Sequence, residues 1–189
     1  MKCSIYDYET LGQNPNSAPI LSIAIYSFDS RNIQSLTIEN VVNDCVFASF
    51  DVSEQVKNYG KIIEKDTLEW WSKQSKEAQK QIAPSDSDVS IRDMPTLFKA
   101  AKVDESDRVF TRGNTFDPIF TSQIFKDINV EEPYKWWTIR DMRSLIEGMT
   151  YGSSVKNNFI PPSVNESDLV LHDPRYDIAL DVLRIASLT

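Results

Sequence analysis

The alternation of apolar and polar positions begins with a short apolar run, Cys3-Ser4-Ile5-Tyr6, which predicts a strand from the protein interior. A polar loop rich in Asn and Pro follows at residues 12–18. Residues 19–28 carry Ile20, Leu21, Ile23, Ala24, Ile25, Tyr26 and Phe28, the density expected of a buried strand. Asp29-Ser30-Arg31-Asn32 is turn chemistry. Residues 34–42, with Leu36 and Ile38 on one face, predict a returning strand, so the chain should open with a βββ meander.

Residues 50–105 read as helical, an insertion after the meander. Leu68, Trp71, Ala78 and Ile82 recur at helical spacing and predict one amphipathic helix over 67–82. Asp66-Thr67-Leu68-Glu69 has capping-box spacing, with Asp66 at the cap. Lys73, Lys76 and Lys80 fall on the opposite, solvated side, and the Trp70-Trp71 pair reads as core rather than as a stacking platform. Pro84 through Asp88 breaks the helix, and a second one covers about 91–103. Residues 108–111 predict a strand and 112–115 a turn. A helix over about 116–128 keeps Phe116, Ile119, Phe120, Ile124 and Ile128 in period, with Pro118 in its first turn. Trp136-Trp137-Thr138 predicts a further strand, and 138–149 a helix. After a Pro/Asn/Ser loop at 151–167, the final helix covers 174–187 and buries Ile178, Ala179, Val182, Leu183, Ile185 and Ala186. This order predicts an α/β, three-layer domain with a mixed central sheet flanked by helices.

A chain of 189 residues fits one such domain. Its net charge of -8 argues against binding nucleic acid through a general basic field, but not against a substrate held through metal ions. Cys3 and Cys45 lie in apolar surroundings without metal-ligand spacing and read as reduced core residues. With no signal peptide and no long apolar run, a cytoplasmic setting without membrane contact is expected.

Candidate chemistry centres on acids. Asp7 and Glu9 alternate on one strand face, so two carboxylates lie side by side. Such a pair either sits at a solvated strand end or holds a cation, and hard divalent ions take oxygen ligands. Asp117 stands in the first turn of a helix, where the helix N-terminus favours its charge. His172, the one histidine in the chain, precedes Asp177 by five residues. Asp173 reads as a helix cap and Pro174 as the first helical residue, leaving His172 on a mobile loop edge and Asp177 fixed one turn inside. A base beside a fixed metal ligand suits activation of a water. Arg112 and Arg175, near these acids in sequence, could contact phosphate or form local salt bridges.

Asp7-Tyr8-Glu9-Thr10-Leu11-Gly12, Asn114-Thr115-Phe116-Asp117 and His172-Asp173-Pro174-Arg175-Tyr176-Asp177 together resemble the three exonuclease motifs of the DnaQ-like (DEDDh) superfamily, which has an RNase H-like fold. Within it the chain resembles the exonuclease A type of T4-like bacteriophages, also across Thr67 to Trp71, Ile82 to Asp86 and Trp137 to Arg143. The resemblance implies a 3'-5' exonuclease acting on single-stranded 3' ends, DNA favoured, and releasing 5'-mononucleotides. It implies two divalent ions, Mg2+ or Mn2+, held by Asp7, Glu9, Asp117 and Asp177, with His172 as general base. It further implies that Leu11 packs on the terminal base, that the backbone at Thr10 meets the terminal sugar and that Phe116 stacks on the strand end. For a phage-encoded enzyme the compartment would be the host cytoplasm. An oligoribonuclease or RNase T-like enzyme is the alternative within the class, and an inactive nucleic-acid-binding module the alternative outside it. All five key residues are present, which favours an enzyme.

Overall fold

The computed structural model describes residues 1–80 and 83–189. The acidic strand predicted first is the central one. β1 (Lys2–Thr10) lies between β2 (Ile20–Asp29), antiparallel to it, and β4 (Arg108–Thr111), parallel to it. β3 (Val46–Ser49) pairs antiparallel outside β2, and β5 (Ile139–Asp141) pairs parallel outside β4, giving the order β3-β2-β1-β4-β5. Helices cover both faces, so the three-layer α/β fold with a mixed sheet is the one expected.

The two faces of β1 bury different things. Cys3 and Ile5 face a core with Ala24, Tyr26 and the apolar side of α8 (Pro174–Leu188), including Ile178, Ala179 and Val182. Tyr6 and Tyr8 face the opposite core, with Phe98, Phe120, Ile124 and Phe125. Phe98 lies on α5 (Met94–Ala100), the others on α6 (Asp117–Asp127). By strand alternation Asp7 and Glu9 continue the α8 face, where the apolar core gives way to acids.

The predicted third strand is displaced. Residues 30–35 form a 3-10 helix, and Ile38–Asp44 form α1 rather than a strand. Thr37 caps α1 in a reciprocal box with Asn40, and Val41 buries its helical face, so the Leu36/Ile38 alternation was a helix approach misread as period two. The meander is completed instead by β3.

The insertion is also more broken than expected. α2 (Val52–Tyr59) is followed by α3 (Lys65–Trp71) and α4 (Lys76–Gln79), two short helices in place of one helix over 67–82. The Ser75 hydroxyl caps α4 and so starts a new helix where continuity was expected. Glu64, not Asp66, occupies the cap position of α3, and Asp66 stands in its first turn. Trp71 is buried but Leu68 is exposed. Ile82 lies outside the described residues. The predicted helix over 91–103 is α5 with a 3-10 turn at each end. Phe50 bridges Val89, closing the two ends of this segment on each other.

Trp136–Thr138 is an exposed 3-10 turn, not a strand. The strand is β5, and the following helix, α7 (Met142–Met149), starts late because Asp141 caps it through the Ser144 N–H at 2.6 Å. Of the apolar positions predicted for α6, Ile119 points to solvent. Both cysteines are free thiols. Among the described residues, no helix is long and apolar enough to cross a membrane.

Candidate active site

Three carboxylates meet where β1 leaves the core. Oxygens of Asp7, Glu9 and Asp177 lie within 4.8 Å of one another. Two come from alternate residues of β1. The third comes from the first turn of α8, which packs on that face. Sequence fixes this start firmly: the Asp173 side chain accepts the Arg175 N–H at 3.0 Å, and Pro174 needs no backbone donor.

Asp117 arrives from the other layer, at the N-terminus of α6, and is only 4% exposed. A hydroxyl network on the far face of β1 fixes this helix to the strand. Thr121 donates to the Asp117 carbonyl at 3.1 Å, and its hydroxyl lies 3.0 Å from that of Tyr6 and 3.1 Å from that of Tyr8. Tyr6 in turn meets Tyr134 at 2.5 Å. Sequence reasoning placed Tyr6 in an interior strand and gave none of these hydroxyls a role. They are what index the third acid against the first two.

The charges of Asp117 and Asp177 both act on Asp7 and on Glu9. Burial raises Asp7 well above the ordinary carboxylate range, and the charges of Asp117, Asp177 and Glu9 raise it further. Glu9 is raised in the same way, by burial and then by Asp177 and Asp117. Burial pushes Asp117 up to about 7 against the pull of backbone N–H groups. Asp177 is pushed up to about 7 by burial and by Asp181, with Arg184 and Arg112 pulling back. Buried anions without compensating charge are costly, and oxygen-rich clusters of this kind suit hard divalent cations. The donor set therefore fits the ions that the sequence resemblance implies.

His172 is outside this triad of mutually close oxygens. It sits at the loop edge just before α8, as expected, in the left-handed region at φ 62°. The imidazole is not loose: it packs edge-on against Trp70, with ring centroids 4.6 Å apart, and against Trp71 at 6.2 Å. Burial lowers its pKa. Trp71 connects it to the acidic strand by donating its indole N–H to the Thr10 carbonyl at 3.1 Å.

An open groove of about 450 Å³ runs beside the acids, lined by Glu9, Thr10, Glu64, Trp70, Trp71 and Phe116, among others. Thr10 and Phe116 thus border a space that a strand end could enter. Leu11 does not. It is buried with Leu21 and Trp71 and lines a neighbouring apolar cavity of about 260 Å³. Gly12 is required at the groove edge, because a Cβ there would come within 2.6 Å of the Glu64 carboxylate and 2.7 Å of the Ala18 methyl.

Of the two alternatives for Arg112 and Arg175, phosphate contact or local salt bridges, both arginines make the salt bridges. Arg175 holds Asp173 through two bonds, at 2.9 and 2.5 Å, and its guanidinium lies over Phe47 at 4.4 Å. Arg112 pairs with Asp181 and donates to the Asn157 carbonyl at 3.1 Å. Asp181, which sequence reasoning missed, is one turn beyond Asp177 on α8 and also accepts from Arg184 at 2.6 Å. This buried Arg112–Asp181–Arg184 unit joins the end of β4, α8 and the 157–159 loop beneath the acidic cluster. Arg112→Ala should destabilise the protein by about 3 kcal/mol, because it strips a partner from a buried carboxylate. Urea unfolding measures this, and an unshifted midpoint would show that Arg184 alone suffices.

The chain belongs to the family described as the Rv2179c-like 3'-5' exoribonuclease domain, whose model matches residues 2–179. It is an exonuclease of the DnaQ-like class, a hydrolase of phosphodiester bonds. Among individual relatives it is similar to the exodeoxyribonuclease of Enterobacteria phage T4, with 30% identity over 95% of this chain and 85% of that protein. Among solved structures it is similar to E. coli ExoI in a zinc-bound complex with single-stranded DNA, with a TM-score of 0.63 and 13% identity over 99% of this chain. ExoI in complex with a dT13 oligonucleotide matches with a TM-score of 0.63 and 14% identity. The chain spans 40% of the length of these ExoI chains, and at such identity the likeness is one of fold, the RNase H-like exonuclease fold.

Proposed function

We propose that this protein is a single-domain 3'-5' exonuclease that trims single-stranded DNA ends and releases 5'-mononucleotides. The observation that carries this reading is the meeting of Asp7, Glu9 and Asp177, with Asp117 electrostatically joined to them, beside an open groove. DNA is favoured by the 30% identity to a phage exodeoxyribonuclease. The exoribonuclease description of the family favours RNA as the second reading.

Asp7, Glu9, Asp117 and Asp177 would hold two divalent ions, Mg2+ or Mn2+. When bound, such ions lower the pKa of a water and stabilise charge on the attacking and leaving oxygens of an in-line displacement. The chain's own groups do the rest. Phe116 offers its ring to the terminal base, and the backbone at Thr10 borders the terminal sugar. His172 accepts the proton of the attacking water, for which a pKa lowered by burial keeps it neutral near pH 7. Water attacks the last phosphodiester, its proton goes to His172, and the leaving 3' oxygen is reprotonated from solvent.

Digestion of end-labelled DNA and RNA strands, each blocked at either the 3' or the 5' end, tests this directly. Cleavage should need a divalent ion and stop at a 3' block only. Trimming of 3'-blocked strands would overturn the polarity, and faster loss of RNA would select the second reading.

A further inference from the structure

We infer that Trp70 is the positioning residue of His172, the wall that holds the imidazole in one orientation beside the acidic strand. The inference rests on the proposed role of His172 as base. Adjacent tryptophans divide the work. Trp71 is 1% exposed and ties α3 to the end of β1 through the Thr10 carbonyl. Trp70 is 41% exposed and buries too little surface to be a core residue. Its ring meets Trp71 at 5.1 Å and, closer, the histidine ring at 4.6 Å and an interplanar angle of 76°, the edge-to-face geometry that aromatic rings favour.

The histidine needs such a wall. Its backbone is in the left-handed region, which a non-glycine residue keeps only when its surroundings enforce it. On the C-terminal side, Asp173 is pinned by its cap on α8 and by Arg175. On the other side, the ring borders a cavity of about 230 Å³ shared with Gln74, Glu77 and Leu171, which gives it room to swing away. Trp70 lines the groove with Glu9 and Thr10, His172 lines the cavity, and their two rings are in contact. Trp70 sets which of the two the imidazole addresses.

Because His172 is the one histidine in the chain, its ring resonances identify themselves in an NMR spectrum. In the wild type they should be displaced from free-histidine positions by the indole ring currents. In Trp70→Ala that displacement should largely vanish, and kcat should fall about tenfold with KM unchanged, as expected when a catalytic group loses its orientation. Trp70→Phe, which keeps an aromatic wall, should restore most of both. Unmoved imidazole resonances in Trp70→Ala would overturn the inference. A raised KM at unchanged kcat would also overturn it, showing that Trp70 touches substrate instead. If His172→Ala leaves turnover intact, the base assignment fails, while the ring-current result still reports the contact by itself.

Discussion

Asp7→Asn should make the metal-free protein more stable at pH 8 and stop it from degrading nucleic acid. Asp7, Glu9, Asp117 and Asp177 are all raised in the folded chain, by burial first and, except for Asp117, by neighbouring acidic charges next. A carboxyl raised in this way contributes stability that is fully present below its unfolded value and lost as pH climbs through the folded one. For Asp117 and Asp177 the window runs from 3.8 to about 7. Metal-free wild type should therefore unfold more easily at pH 8 than at pH 5. Between those two pH values a carboxyl with that displacement contributes on the order of 3 kcal/mol. Asparagine at position 7 cannot ionise, so the cost of charging a buried carboxyl beside Asp117, Asp177 and Glu9 is removed. Divalent ions should restore wild-type stability at pH 8 but do little for the variant. Turnover should fall on the order of 10³-fold, since several kcal/mol of transition-state stabilisation depend on the ions. Thermal unfolding in EDTA at both pH values, with a digestion assay alongside, measures both halves. A variant that is less stable at pH 8 would mean that the Asp7 carboxylate is compensated within the protein.

His172→Ala should lower the rate by about 10²–10⁴-fold while leaving cation binding intact. The left-handed backbone at this position complicates the alanine variant, because alanine lacks the local hydrogen bonding that helps a side chain tolerate it. His172→Asn separates the effects. Asparagine accepts this conformation but offers no base near neutral pH, so its melting temperature should match wild type while its rate falls with that of alanine. An asparagine variant with near-normal turnover would show that His172 serves the backbone and not the chemistry.

The sequence was most legible where one residue decides its own geometry. Strand alternation put Asp7 and Glu9 on one face, and Asp173-Pro174 fixed the start of α8 and with it the position of Asp177. It was less legible where a side chain overrode the apolar pattern. Thr37 and Asn40 turned an apparent strand into α1, and Ser75 divided one apparent helix into two. Long-range partners were the least visible. Nothing near Arg112 in sequence indicates Asp181, 69 residues away, so the partner of a guanidinium that could have met phosphate or a salt bridge was not legible. The Tyr6–Thr121–Tyr134 network was hidden for a similar reason: apolar periodicity reads a tyrosine ring and ignores its hydroxyl. A similar unit escaped notice in the insertion, where buried Lys61 pairs with Asp127 at the end of α6, at 2.7 Å. The burial of Leu11, expected at the substrate, follows from its partners Leu21 and Trp71, which only the folded α3 brings to it.

The account stands on Asp7, Glu9, Asp117 and Asp177 forming one site for divalent ions, and calorimetric titration with Mn2+ at pH 6.5 tests it most directly. Run in two buffers of different ionisation enthalpy, wild type should bind and release protons, because Asp117 and Asp177 are partly protonated at that pH and must lose their protons to act as ligands. Asp7→Asn and Asp177→Asn should lose most of the binding heat and the proton release. Equal Mn2+ binding by wild type and both variants, with heats that do not depend on the buffer, would contradict it.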